Sequence, residues 1–307
     1  MVRSRRLVFL LLAGCLLGGC SPRRSDQAPV QGPRIISLAP NLTEIICAVG
    51  AGAALVGRTS ACDYPPEIVK TVPVIGGFGA PNLEELLKSK PTLILDIALE
   101  DETTAKLIAQ LGIRRARVPC AKLDDIPTAI LTIGRLAQVE PAATSLAERI
   151  AAKVAERREA LAAHKAAGQP VPTVFAEIWG DPLMTVGRNS FVAELIALAG
   201  GRNLGDEVAD KDYFPVASEW VIARDPDIIL CLYPIAGGSA QNPEEAAVKR
   251  LAARTGFSQI KAVRAGRVYG AFDNNLILRP GPRVLEGIEA LQECIQPSEN
   301  LYPPNTL

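Results

Sequence analysis

Asn82-Leu83-Glu84-Glu85-Leu86-Leu87-Lys88-Ser89-Lys90-Pro91-Thr92-Leu93-Ile94-Leu95 and, about half the chain later, Ser218-Glu219-Trp220-Val221-Ile222-Ala223-Arg224-Asp225-Pro226-Asp227-Ile228-Ile229-Leu230 follow one plan. In each, a capping residue and a Glu are followed by a Pro that opens an apolar strand, seven positions after Glu84 and seven after Glu219. A second echo precedes each copy: Glu44-Ile45-Ile46 reaches Gly50, and Glu194-Leu195-Ile196 reaches Gly200. The copies are 135 to 150 residues apart, far beyond the roughly 20–50 residues of a solenoid unit. The chain therefore reads as two similar lobes produced by duplication. Pockets form preferentially where domains meet, so a small-molecule site is expected between them.

Outward from these copies, the local patterns give an α/β fold. Arg34 to Leu38, Thr92 to Asp96 and Arg115 to Val118 read as strands, and the segments between them as helices. Strands that alternate with helices imply mostly parallel sheets covered on both faces. Asn41 is read as a helix cap with Glu44 three positions on, a capping box. Pro141, with Leu146, Ile150, Val154 and Leu161 behind it, starts one amphipathic helix that runs to Gly168, about 40 Å long at 1.5 Å per residue. From Thr173 the alternation restarts. The fold class is thus two pseudo-symmetric α/β lobes, residues 33–139 and 169–296, joined by one long backbone helix at 140–168.

The ends of the chain carry an address. Arg3, Arg5 and Arg6 precede the 11-residue apolar run Leu7 to Leu17, too short for a bilayer span of about 20 residues and typical of a signal peptide, here 1–19. Residues 20–32 are polar and Pro-containing, as expected of a flexible tether, and 297–307 read as a disordered tail. Without the three leader arginines the chain has 30 basic against 33 acidic residues, which is no nucleic-acid footprint. Beyond Cys20 there are five cysteines, Cys47, Cys62, Cys120, Cys231 and Cys294; the odd count and absence of C-x-x-C spacing exclude a legible disulfide framework or zinc knuckle. The chain is read as a monomer.

Catalysis finds little support. The single His164 falls on the connecting helix, where it is expected to be solvated, and Gly76-Gly77-Phe78-Gly79 lacks the Lys and Ser/Thr of a phosphate loop. No catalytic residue, metal site or resident cofactor is expected. What stands out is the placing of the 14 aromatic residues: Tyr64, Phe78, Trp179, Tyr213, Phe214, Tyr233 and Phe272 fall in loop-like positions. Flat rings there suit a flat, partly apolar ligand, although each alone could be ordinary packing. Glu84 and Glu219 have a local reading as first-turn carboxylates that favour the helix dipole, worth about 0.3–1 kcal/mol each.

Arg34-Ile35-Ile36-Ser37-Leu38-Ala39-Pro40-Asn41-Leu42-Thr43-Glu44, Cys62-Asp63-Tyr64-Pro65-Pro66-Glu67, Gly76-Gly77-Phe78 with Pro81-Asn82-Leu83-Glu84, and Ser218-Glu219 through Asp227 resemble the periplasmic substrate-binding proteins of ABC importers for cobalamin, haem and ferric siderophores. The resemblance covers about residues 33 to 295, and Asp-Tyr-Pro-Pro is similar to the cobalamin receptors in particular. It implies a ligand cleft with Asp63, Tyr64, Phe78, Tyr213 or Phe214, Asp273 and Arg279 as candidate contacts, to which the loop position of Trp179 adds that ring, and Glu84 and Glu219 docking on arginines of a membrane permease. Ala61 departs from the pattern, standing where cobalamin receptors place a ring. Leu17-Gly18-Gly19-Cys20 resembles a bacterial lipobox, which implies lipidation at Cys20, with Cys15 the alternative, and anchorage in the cell envelope facing away from the cytoplasm. The ligand so implied is cobalamin or a related corrinoid; the alternatives are a ferric siderophore or haem, or a sensor that does not transport.

Overall fold

Ile35 and Ile36 are completely buried, and with Ser37 they form β1 (Ile35–Ser37), where β-branched side chains fit a pleat covered on both faces. The structure, a computed structural model, describes residues 32–97, 102–233, 243–270 and 272–296. The expected signal peptide, Cys15, Cys20, nearly all of the tether and the C-terminal tail lie outside the described residues.

In the first lobe β1 is followed by α1 (Pro40–Ala48), β2 (Leu55–Arg58), α2 (Pro66–Thr71), the hairpin β3 (Gly76–Gly77) and β4 (Ala80–Pro81), α3 (Leu83–Lys88), β5 (Leu93–Asp96), α4 (Glu102–Gln110), β6 (Arg114–Arg117) and α5 (Asp125–Ala137). The connecting helix is α6 (Glu140–Ala166). The second lobe contains β7 (Thr173–Glu177), β8 (Trp179–Gly180), β9 (Leu183–Val186), α7 (Phe191–Leu198), β10 (Arg202–Asn203), β11 (Tyr213–Pro215), α8 (Ser218–Arg224), β12 (Ile228–Cys231), α9 (Pro243–Ala252), α10 (Lys261–Arg264), β13 (Val268–Tyr269), α11 (Asn274–Leu278) and α12 (Val284–Ile295).

The two main sheets have the same topology. One is ordered β2-β1-β5-β6 and the other β10-β7-β12-β13, and every pair in both is parallel. In each, the lobe's first main strand stands second and the strand after the repeated Glu–Pro segment stands third. The duplication read from Glu84 and Glu219 is therefore a duplication of topology. A three-stranded antiparallel sheet, β11-β9-β8, is added in the second lobe only.

Helix α6 packs on α5, α7 and α12. Its buried Ala143, Leu146, Ala147, Ile150, Val154 and Arg157 recur at three- and four-residue intervals and form one stripe. At the crossing with α5, a Cβ on Gly134 would meet the Ala143 Cβ at 2.1 Å; only glycine allows that approach. The largest apolar core runs from Ile35 in the first sheet through this helix to Val174 and Ile295 in the second lobe, so the lobes share an interior.

Three local expectations are corrected. The helix read as capped by Asn41 starts at Pro40, after Ala39, because a proline fits the first helical position without needing an N–H donor. Asn41 bonds the Leu42 amide and the Cys120 carbonyl instead, and no capping box forms. Ser218 is the first residue of α8, and the preceding Ala217 supplies no side-chain cap, whereas Asn82 does accept from the Glu85 amide as read. His164 is buried rather than solvated, its Nε2 lying 3.4 Å from the Pro170 carbonyl where the chain folds back after Gly168.

Candidate ligand cleft

In open α/β sheets ligands bind beyond the carboxyl ends of the strands. Helices α3 and α8 lead into parallel strands, so their first turns lie at that same edge of each sheet. Among the described residues, polar contacts between the lobes gather mainly in two groups, with Cys120 Sγ also donating to the Pro280 carbonyl at 3.5 Å.

The first group surrounds Glu44, a carboxylate only 3% exposed in α1. Arg279 Nη1 donates to it at 2.7 Å, and Arg283 forks onto it through Nε at 2.8 Å and Nη2 at 3.0 Å. Arg279 also donates to Asp63 at 2.8 Å and to the Asn275 side-chain oxygen, while Asn275 Nδ2 donates to the other Asp63 oxygen at 2.9 Å. Arg283 bonds Asp273 at 3.2 Å and lies 3.9 Å above the Tyr64 ring. Asp273 caps α11 by accepting from the Asn275 amide. Three carboxylates face two guanidiniums, so this wall is net negative and each of its arginines is paired with two carboxylates.

Electrostatics follow that geometry. Burial pushes the Asp63 carboxyl up, but the Arg279 hydrogen bond and charge outweigh it and hold its pKa below the usual value. Burial disfavours the charge on Arg279 and Arg283, yet Asp63 and Glu44 on the former, and Glu44 and Asp273 on the latter, raise both.

The second group joins the loop after β6 to the second lobe. Lys122 Nζ lies 3.0 Å from both Asp212 oxygens and donates to the Asn189 carbonyl; the Leu123 amide donates to Glu194 at 3.1 Å. Glu194 occupies the place in α7 that Glu44 has in α1, so the residues of the second sequence echo each reach into the opposite lobe.

Among the aromatic candidates, Tyr64 (41%), Phe78 (56%), Trp179 (54%) and Tyr213 (46%) are exposed, unusually so for large apolar side chains. Tyr64 follows β2 and touches a second-lobe arginine, Phe78 sits at the tip of the β3–β4 hairpin before α3, and Trp179 follows β7. Tyr213 adjoins the cross-lobe Asp212. Phe214 is 7% exposed and meets Trp220 edge-on at 6.2 Å. Successive residues of a strand point to opposite faces, so only one of these adjacent rings in β11 can be open. Asp63, Tyr64, Asp273 and Arg279 are brought together across the lobes, with Arg279 engaged by carboxylates. Two further arginines are also engaged by the backbone: Arg58 is buried and donates to the carbonyls of Thr59, Cys62, Val69 and Val72, and the exposed Arg188 donates through Nε to the Asp206 carbonyl.

Glu84 and Glu219 occupy the first turns of α3 and α8. The Glu84 side chain is 76% exposed and pairs with Lys88 at 2.9 Å; Glu219 is exposed. Sequence reading missed Arg283, Lys122 and the lobe-crossing role of Glu44. The local signal at Glu44, a carboxylate at the spacing of a capping box, pointed elsewhere.

Two lobes of one topology, a connecting helix and a ring-bearing edge between them define a two-lobed ligand-binding protein of the α/β class. The chain belongs to the periplasmic binding protein family, whose pattern matches residues 35–273. It is 28% identical to YvrC of Bacillus subtilis, an uncharacterized ABC transporter substrate-binding lipoprotein, over 94% of this chain and 95% of the relative. It is 27% identical to the vitamin B12-binding protein of Vibrio cholerae over 85% of this chain and 88% of the relative. Among solved structures, the periplasmic heme-binding protein RhuT from Roseiflexus sp. RS-1 matches with a TM-score of 0.71 at 27% identity, covering 87% of this chain and 100% of that one. The chain is thus a periplasmic substrate-binding protein of the ABC-importer type.

Proposed function

We propose that the protein captures cobalamin or a related corrinoid in the inter-lobe cleft and delivers it to an ABC permease, while held at the extracytoplasmic membrane face by a lipid on Cys20. The observation that carries this reading is the set of four open rings, Tyr64, Phe78, Trp179 and Tyr213, contributed by both lobes, with Tyr64 lying against a wall whose arginines are already paired with carboxylates. A bulky, flat ligand of low net charge gains area against such rings. A polyanionic ferric siderophore calls for several free guanidiniums converging from both lobes, and Arg58 and Arg279 are engaged by backbone carbonyls and carboxylates. Glu84 and Glu219 serve as docking carboxylates, one per lobe, for permease arginines that can grip them bidentately. Haem is the second reading, favoured by the similarity to RhuT.

Titration of the purified protein with cyanocobalamin, haem and ferric siderophores tests the proposal, read by calorimetry and by quenching of Trp179 fluorescence. Corrinoid binding without a siderophore response is expected. Haem binding with no response to cobalamin would replace the first reading by the second.

A further inference from the structure

A second charged cluster lies at the same edge of the second lobe and is balanced differently. Glu177 ends β7 and is fully buried. One of its oxygens, Oε1, accepts from Arg250 Nη1 at 3.0 Å, from Arg254 Nη2 at 2.7 Å and from the Tyr233 hydroxyl. Arg254 also donates to the Gly180 carbonyl at 3.0 Å. Arg250 lies 4.9 Å over the Tyr233 ring, whose centroid is 6.2 Å from that of Trp179. The fit is close enough that a Cβ on Gly180 would meet the Tyr233 hydroxyl at 2.5 Å and Arg250 at 3.0 Å. Arginine, tyrosine and the open tryptophan thus adjoin one another in turn, the two rings tilted by 42°.

Among the described residues one carboxylate faces two guanidiniums here, leaving one positive charge uncompensated, the reverse of the Glu44 wall. Arg250 Nε and Arg254 Nη1 are buried without a hydrogen-bond partner among the described residues. An unpaired charge in a low-dielectric site is costly, and orphaned donors add to that cost. Glu177 Oε2 is also unpartnered, but it is sealed inside at the end of the strand, whereas the arginine side chains reach the surface, 26% and 20% exposed. The two arginine side chains are part-exposed where Glu177 is sealed, so an anion at this surface meets arginine before carboxylate.

We propose that Arg250 and Arg254 receive the single anionic group that a flat ligand carries at its edge, a phosphodiester or a carboxylate, while the body of the ligand lies against Trp179. This deepens the corrinoid reading and rests on it: cobalamin carries one phosphodiester beside its ring system, and cobinamide has the same ring and cobalt without it. The two charged walls then orient the ligand, because the net-negative Glu44 wall repels the group that the arginine wall attracts.

The test uses the full chain in detergent and measures affinities for cobalamin, cobinamide and haem by calorimetry at two salt concentrations. Wild type is expected to bind cobalamin about tenfold more tightly than cobinamide, with the ratio shrinking as salt rises, because exposed charge attraction is screened. Arg250→Gln and Arg254→Gln are made singly, so that Glu177 keeps one partner, and each should lower the ratio. Glu177→Gln removes the competing carboxylate and should raise it, a sign that a merely structural role would not produce. A ratio near one in wild type, or a ratio unmoved by both arginine variants, overturns the assignment. Failure of both corrinoids overturns the corrinoid reading alone if haem binds and is weakened about tenfold by Arg250→Gln; haem unaffected by that change, or no ligand bound at all, overturns the arginine assignment as well.

Discussion

Replacing Glu44 by Gln is expected to be among the most destabilising near-isosteric changes in the molecule. The carboxylate is 3% exposed and takes three short hydrogen bonds from two guanidiniums that are themselves 12–14% exposed. A Gln amide must turn an NH2 toward one of those donors, so a donor faces a donor where an ion pair stood. Breaking a buried ion pair by removing one partner costs about 3–5 kcal/mol. The lower end applies here, because Asp63 and Asp273 still hold the guanidiniums. At about 2–4 °C per kcal/mol for a domain of this size, a loss of ~3 kcal/mol lowers Tm by about 6–12 °C. The matching control is Asp63→Asn. That side chain is 51% exposed, so its pair is worth only about 0–1 kcal/mol. Calorimetry on the three proteins decides, and the continuous core predicts one cooperative transition in each. If Glu44→Gln costs no more than Asp63→Asn, the reasoning that burial sets the strength of this contact is wrong.

Other expectations follow from single contacts. The folded-state pKa of Asp63 is lowered, so its contribution is complete above the unfolded value of about 3.9 and is lost as pH falls through the folded value; the stability gap between wild type and Asp63→Asn should close in acid, checked by denaturant titration across that range. Phe214→Ala should cost about 3–5 kcal/mol as a core truncation, while Tyr213→Ala leaves Tm nearly unchanged and weakens ligand binding; equal Tm losses would contradict their opposite facing. Burial pushes the thiols of Cys47, Cys120 and Cys231 up to about 12, so they should resist a thiol reagent at pH 8 until denaturant is added, and rapid native labelling of all three would disprove that protection. Glu84→Ala with Glu219→Ala should abolish uptake in cells while calorimetry finds ligand affinity intact; normal uptake would remove the docking role.

What the sequence disclosed was local or repeated. The apolar runs of β1, β5, β7 and β12 need only their own side chains to declare themselves, and α6 is long enough for its stripe to show. The echo at Glu84 and Glu219 exposed the shared topology because both copies kept a Pro before the third strand of the sheet. The two-residue strand β8 is too short to show any pattern, and α11 is a five-residue helix shaped by its Asp273 cap. The charged walls were hidden for another reason: Glu44 and Arg283 are 239 positions apart, and Glu177 and Arg254 are 77. No local pattern couples such residues. The openness of Tyr213 against the burial of Phe214 required a strand at 213–215, which the Tyr-Phe-Pro sequence did not announce.

The reciprocal reach of Glu44 and Glu194 bears on ancestry. In a homodimer of an unduplicated half, a twofold axis would repeat one carboxylate contact on both sides, each subunit grasping its twin. Fusion into a single chain relaxes that symmetry and lets the two descendants change independently. In this chain one carboxylate holds a pair of guanidiniums and the other a backbone amide. The asymmetry gives the fused molecule a distinguishable left and right, which no symmetric dimer could offer a ligand that itself has two unlike ends.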